Sequence, residues 1–235
     1  KANGGVTASN SDGSITSTVQ ANTKAGFSII TYAGNGSNRT IGHGLSSVDF
    51  MIIKNRDASS NWVVYSRAMG AANRGQINTT NAWGSSSTSF QSTDPTSSVI
   101  SLGTSSGTNA NGNNFVCYAW HSVEGFSSFG SFEGNSDTDG PFIYTGFRPR
   151  LVFCKAADAS ENWQVRDTAR STFNADSQVR IYWNSSAAEG SASTASPIDF
   201  LSNGFKVRGS NSEINSNTIV YGAWGDVPFK YNNTF

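Results

Sequence analysis

This chain has little charge. Asp, Glu, Lys and Arg make up 14% of its 235 residues, against roughly a quarter in ordinary soluble proteins, and the 16 basic side chains cancel the 16 acidic ones. A neutral chain without clustered Lys and Arg has no electrostatic footprint for nucleic acid or anionic lipid, so neither is expected as a partner. Histidine is confined to His43 and His121, which have no partner at metal-ligand spacing. The two cysteines, Cys117 and Cys154, lack the pair spacing of a zinc site. Each cysteine sits inside an apolar run, where buried thiols are common, so two free core thiols are expected instead of a bridge. No apolar run approaches the roughly 20 residues of a spanning helix, and no membrane insertion is expected. The opening Lys1-Ala2-Asn3-Gly4-Gly5 has neither an initiator Met nor an apolar signal segment, which points to a fragment, a processed product or the ordered part of something longer.

What the chain has instead is hydroxyl and amide. Ser, Thr, Asn and Gly together form about 45% of it, so its surface is polar without being ionic. Aromatic residues, 12% of the total, are spread along the whole length and supply the apolar area that low-complexity disorder lacks. The most informative feature is an internal repeat, found by sliding the chain against itself by about 100 residues. Gly26-Phe27-Ser28 meets Gly125-Phe126-Ser127, and Tyr32-Ala33-Gly34-Asn35 meets Phe132-Glu133-Gly134-Asn135. Phe50-Met51-Ile52-Ile53-Lys54 meets Leu151-Val152-Phe153-Cys154-Lys155, and Asp57-Ala58-Ser59-Ser60-Asn61-Trp62 meets Asp158-Ala159-Ser160-Glu161-Asn162-Trp163. The halves also close alike, with Phe115 to Trp120 against Ile219 to Trp224.

Within each half, short β-branched and aromatic runs are bounded by Gly, Asn, Asp and Ser clusters, and no segment sustains a helical period. The pattern predicts an all-β chain: an antiparallel β-sandwich of the jelly-roll or lectin kind, built from two tandem pseudo-repeats of about 100 residues. Residues 1–24 lie outside the repeat and read as an extended arm or linker. Residues 25–122 form the first repeat and 123–235 the second. Whether the two share one sandwich or build one each is open at this level.

No constellation of catalytic residues emerges, and neither a cofactor nor a metal site is expected. The nucleophile elbow, the phosphate loop and the dinucleotide glycine fingerprint are all missing. Glu133, Asp137 and Asp139 gather in the second half. They invite comparison with a glycosidase carboxylate pair or a calcium loop, but the first half has no equivalents and the segment is too short for a complete calcium loop. His43, in Ile41-Gly42-His43-Gly44-Leu45, reads as a turn residue, since its counterpart Tyr144-Thr145-Gly146-Phe147 has no histidine. Trp62 and Trp163, matched at the head of a strand, are expected as structural anchors, as are the matched Trp120 and Trp224. Trp83 and Trp183 do not match by offset and are the candidate exposed aromatics for stacking on a sugar. Arg67, Arg74, Arg148, Arg150, Arg166, Arg170 and Arg180 could clamp an anionic glycan or a partner chain, although solvated strand ends are the simpler reading.

Several blocks carry a family resemblance: Ala25-Gly26-Phe27-Ser28-Ile29-Ile30, Gly42-His43-Gly44-Leu45, Ile53-Lys54-Asn55-Arg56-Asp57, Phe126-Ser127 with Gly130-Ser131-Phe132, Asp139-Gly140-Pro141-Phe142-Ile143-Tyr144-Thr145-Gly146-Phe147-Arg148-Pro149, and Phe200-Leu201-Ser202-Asn203-Gly204-Phe205-Lys206. With these the chain resembles a duplicated β-rich domain of aquatic, cyanophage-like bacteriophage tail-fibre and other virion structural proteins. The resemblance implies a non-enzymatic module on the virion surface, attached to a fibre stem or capsid and engaging host-surface glycan. Fibres of this kind are commonly homotrimers. The alternative it leaves is a capsid decoration or head-fibre protein, and a polysaccharide depolymerase ranks below both.

Overall fold

The computed structural model describes residues 6–172, 174, 178–191 and 197–226. The first half runs β1 (Ala8–Asn10), β2 (Ser17–Asn22), β3 (Phe27–Ala33), β4 (Arg39–Gly42), β5 (Phe50–Asn55), β6 (Val63–Ser66), β7 (Asn73–Gln76), β8 (Gly84–Ser85), α1 (Ser87–Phe90), β9 (Val99–Leu102), α2 (Ser106–Asn109) and β10 (Asn114–Trp120). The second runs β11 (Ser127–Glu133), β12 (Phe142–Tyr144), β13 (Pro149–Ala156), β14 (Gln164–Asp167), β15 (Val179–Tyr182), β16 (Gly190–Ser191), β17 (Ile198–Leu201), β18 (Gly204–Val207), α3 (Ser212–Asn215) and β19 (Thr218–Gly225). The chain is all-β, and every pairing between these strands is antiparallel.

Each half builds its own sandwich. The large sheet of the first half has the order β1-β2-β3-β10-β5-β6-β7-β8, and that of the second β11-β19-β13-β14-β15-β16. Without the leading β1 and β2, the two orders are the same. A small sheet covers one face of each: β4-β9 in the first half and β12-β18-β17 in the second. Alternation along the strands sends every second side chain into these cores. In the first, Ile30, Met51, Ile53, Phe115 and Cys117 meet Ile41, Ile100 and Leu102 of the small sheet. In the second, Val152, Cys154, Ile219 and Tyr221 meet Ile143, Phe200 and Phe205. Both cysteines are buried free thiols.

The other faces of the two large sheets form a third core, in which Phe50 and Val64 of the first half pack with Phe153, Val165 and Val220 of the second. The molecule is therefore four layers deep, with the two sandwiches joined through their large sheets. Phe50 lies 5.0 Å from Phe153 and stacks nearly parallel on Phe129 at 5.8 Å, and Trp120 meets its counterpart Trp224 edge-on at 6.4 Å. This explains why β5 reads as an unbroken apolar run. Phe50 to Ile53 are covered on both faces, so both sets of alternating side chains are apolar there, and polar residues enter β5 only at its end, Lys54 and Asn55.

Strand register refines two sequence expectations. Phe27 pairs with Trp120 and Ser127 with Trp224, so Phe27 is level with Ser127 and not with Phe126. One extra residue separates the turn glycine, Gly125, from its strand; Gly26 and Gly125 both adopt positive φ, 61° and 73°. Residues 8–22, expected within an arm or linker, instead form the β1–β2 hairpin on the edge of the first sheet. Val19 reaches the core, and buried Ser17 donates to the Gly42 carbonyl at 2.8 Å. Thr18, Val19 and Gln20 pair directly with β3, so a segment rich in small polar residues can still form a strand where a neighbour offers an open sheet edge.

Candidate functional site

The tryptophans divide by their surroundings. Trp163 is fully buried in the core between the sandwiches, and its indole N–H donates to the Gln76 carbonyl of the first half at 3.0 Å. Its matched residue Trp62 is only half-buried and joins none of the three cores. The expectation of equal anchors fails for Trp62 because the joining of the halves is asymmetric: residues 76–83 of the first half lie over the hairpin that carries Trp163. Along that segment, the Trp83 backbone N–H donates to the Ala157 carbonyl at 2.7 Å, and Lys155 Nζ donates to the Thr80 carbonyl at 3.1 Å. Trp120 and Trp224 pack between the sandwiches rather than within them.

Trp83 is likewise not an exposed platform. It is half-buried against the central core, 6.4 Å from Trp163, with its indole nitrogen buried. A Cβ at Gly75 would lie 2.9 Å from its ring, so the glycine lets the indole lie flat on β7. Trp183 keeps 36% exposure while packing tilted against Phe153, ring centroids 5.0 Å apart. The two expected glycan aromatics thus differ, one serving as cement between the halves and the other as a partly exposed rim.

The acidic group of the second half is engaged internally. Glu133 takes the Thr218 hydroxyl across the β11–β19 pair at 3.0 Å. Asp139 pairs with Lys206 at 2.7 Å, and hydrogen bonding to that ammonium holds its carboxyl below its ordinary value. Asp137 accepts the Asp139 backbone N–H at 2.8 Å. Among the described residues, no three His, Cys, Asp or Glu side chains gather where they could hold a metal ion. His43 is buried, with Nδ1 accepting the Leu45 backbone N–H at 3.1 Å and Nε2 3.3 Å from the Thr96 carbonyl. Burial pushes its pKa down.

Two further repeated devices carry no signal in composition. The Asn109 side-chain nitrogen donates to the carbonyls of Ser37 and Gly103, both within 2.8 Å, and its oxygen accepts from the Asn35 backbone N–H. Asn215 does the same with Asp137, Gly209 and Asn135. Lys54 and Lys155 each aim an ammonium at backbone carbonyls of the following hairpin loop, Ser60 and Ala159 respectively. Lys155 is buried, which pushes its pKa down to about 8.

The arginines separate in the same way. Arg67 pairs with Asp49, Arg150 with Asp226, Arg170 with Asp167 and Glu189, and Arg180 with Glu213. Arg148 is exposed, and buried Arg166 donates to Gln164 at 2.9 Å. The half-buried Arg74 side chain has no hydrogen-bond or ion-pair partner among the described residues, and it lines a cleft of about 310 Å³. The β6–β7 pair supplies Val63, Arg74 and Gln76, the preceding hairpin loop Ser60 and Asn61, and the start of α2 Ser106 and Gly107, with Ser105 beside them. Hydroxyl, amide and guanidinium donors converge on a space that can hold a small polar ligand. Arg74 stood among the sequence candidates; the others come from strand, hairpin loop and helix start, and no linear pattern marks their convergence.

Comparison with known proteins gives one match: a family model described as a domain of unknown function (DUF7483) matches residues 1–228. No curated protein and no solved structure matches the chain.

Proposed function

The chain belongs to the DUF7483 family of domains of unknown function, and we propose that it is a non-enzymatic bacteriophage virion surface protein that binds host-surface glycan. The observation that carries the binding reading is the first-half cleft, where Ser60, Asn61, Arg74 and Gln76 converge. Neutral saccharides are recognised by such amide and hydroxyl groups at the mouth of a rigid scaffold, because each ring hydroxyl needs a donor or acceptor to replace water. The virion assignment is supported by the sequence resemblance of the Gly140 to Phe147 and Phe200 to Lys206 runs. In this reading the protein joins other virion proteins, a fibre stem or the capsid, and presents the cleft outward.

A second reading, a shell decoration protein, is favoured by a different observation. β12 is an edge strand of its small sheet and exposes Phe142 and Tyr144, 45% and 68% accessible. An unpaired edge with two bare aromatic rings is the kind of surface that docks against another subunit. Immunolabelling of intact particles, with a glycan array probed by the pure protein, tests both. Tail labelling with array binding is expected for the adhesin; head labelling with a silent array would replace it by the decoration protein. A fall in viscosity of host polysaccharide treated with the protein would overturn the non-enzymatic reading.

A further inference from the structure

The strand registers allow the two halves to be compared position by position at the cleft. Val63 pairs with Gln76 in the first half and Gln164 with Tyr182 in the second; Arg74 pairs with Gly84 and Arg180 with Gly190. Arg74 therefore corresponds to Arg180, Gln76 to Tyr182, Val63 to Gln164 and Asn61 to Asn162. The equivalent Asn109 and Asn215 end α2 and α3, so Gly107 corresponds to Glu213.

In the second half, the Glu213 side chain occupies this position. Its carboxylate accepts from Asn162 Nδ2 at 3.0 Å, from Gln164 Nε2, and from the Tyr182 hydroxyl at 3.4 Å, and Arg180 Nη1 lies 3.6 Å away. Glu213 is 9% exposed, so this is a carboxylate held by three hydrogen-bond donors and one guanidinium ion pair in a largely dehydrated place. In the first half Gly107 has no side chain, and the corresponding space is the open cleft. The donors remain. Asn61 Oδ1 is engaged by Asn78 Nδ2 at 2.9 Å, as Asn162 Oδ1 is by Asn184, and the amide nitrogen of Asn61 has no partner among the described residues. Gln76 Oε1 accepts from Asn81 Nδ2 at 3.3 Å, and the Gln76 amide nitrogen likewise has no partner among the described residues. With Arg74, three of the four carboxylate-holding positions keep a donor, and only Gln164 is replaced by an apolar residue, Val63.

We infer that the first-half cleft receives from outside the carboxylate that the second half supplies from its own Glu213, and that the ligand is an acidic saccharide bearing a hexuronate. This rests on the glycan-binding reading and narrows it: the carboxylate meets Arg74, Asn61 and Gln76, while Ser60, Ser105 and Ser106, which line the same cleft, offer hydroxyls to the sugar. The second half is the self-filled copy of the same site.

Calorimetric titration of the full chain with sodium glucuronate, glucose and sodium acetate tests this. Glucuronate should bind at least tenfold more tightly than either glucose or acetate, and more weakly as salt is raised. Arg74→Gln should reduce glucuronate binding at least tenfold. Gly107→Glu should abolish it by filling the cleft from within; its Cβ would lie 3.0 Å from Val63 Cγ2, so its fold is checked by circular dichroism, and Arg74→Gln stands alone if it misfolds. Equal binding of glucuronate and glucose, unmoved by Arg74→Gln, would overturn the carboxylate inference and leave the glycan reading intact. Glucuronate binding no tighter than acetate, with a silent glycan array, would overturn both.

Discussion

At the scale of single residues, equivalent positions have been given different work by their surroundings. Lys54 and Lys155 both clamp the hairpin loop after them, but only Lys155 is roofed by the other half, where it also bonds the Thr80 carbonyl. That roof removes water from the ammonium and lowers its pKa from 10.5 to about 8. The folded protein thus releases this proton at lower pH than the unfolded chain does. Between about pH 8 and pH 10.5 the unfolded state binds more protons, so this site's contribution to stability rises with pH; below pH 8 both states are protonated and it is flat. Tyr65 and Cys117, whose burial raises their pKa values, act in the opposite sense over an overlapping range. The comparison must therefore be between wild type and Lys155→Met. Urea titrations from pH 7 to 10.5 should show the wild type gaining on the variant by about 3 kcal/mol at most. A constant difference would mean that the ammonium is solvated.

At the scale of elements, the short helices α2 and α3 matter for the asparagine each one ends on. Asn215 ties α3 to the turn after β11 through side-chain bonds to the Asn135 N–H, the Asn135 side-chain oxygen and the Asp137 carbonyl, and to its own approach segment through the Gly209 carbonyl; Gly134 packs so closely on the Asn215 backbone that any Cβ there would collide with it. Removing the amide leaves the carbonyls of Asp137 and Gly209 without that donor. Asn215→Ala is expected to cost about 2 to 4 kcal/mol by equilibrium unfolding, and Asn109→Ala about the same, because the cage is duplicated bond for bond. A neutral Asn215→Ala would show that water replaces the clamp. The sequence repeat brought Gly34-Asn35 and Gly134-Asn135 into view. The partner asparagines stayed hidden, since 74 and 80 residues separate them from the turns they hold.

At the scale of the whole molecule, the central core between the sandwiches makes the two halves one folding unit. Its aromatic rings come from both halves, and burying each is worth roughly 1.5 to 3 kcal/mol, so neither large sheet can present that face to water without loss. Thermal unfolding is expected to give one transition. Trp163→Ala should lower it as a whole, at a cost of about 3 to 5 kcal/mol, whereas Trp62→Ala, at the half-buried matched site, should cost about 1 kcal/mol. Two separate transitions by calorimetry, or equal costs for the two tryptophans, would contradict a shared core.

The linear chain by itself determined the all-β antiparallel class, the duplication and most strands of the repeats, though not the β1–β2 hairpin, because strand alternation and turn chemistry are local and both copies repeat them in order. It also marked Arg74 as a candidate, though without distinguishing it from six other arginines. Only the tertiary structure decided how the two sandwiches join, and with that the fates of Trp62, Trp83 and Trp163, because burial depends on what lies across the interface. It alone also showed that Gly107 and Glu213 occupy one position in two copies, filled in one and open in the other, because a missing side chain has meaning only against the donors that surround the space it leaves.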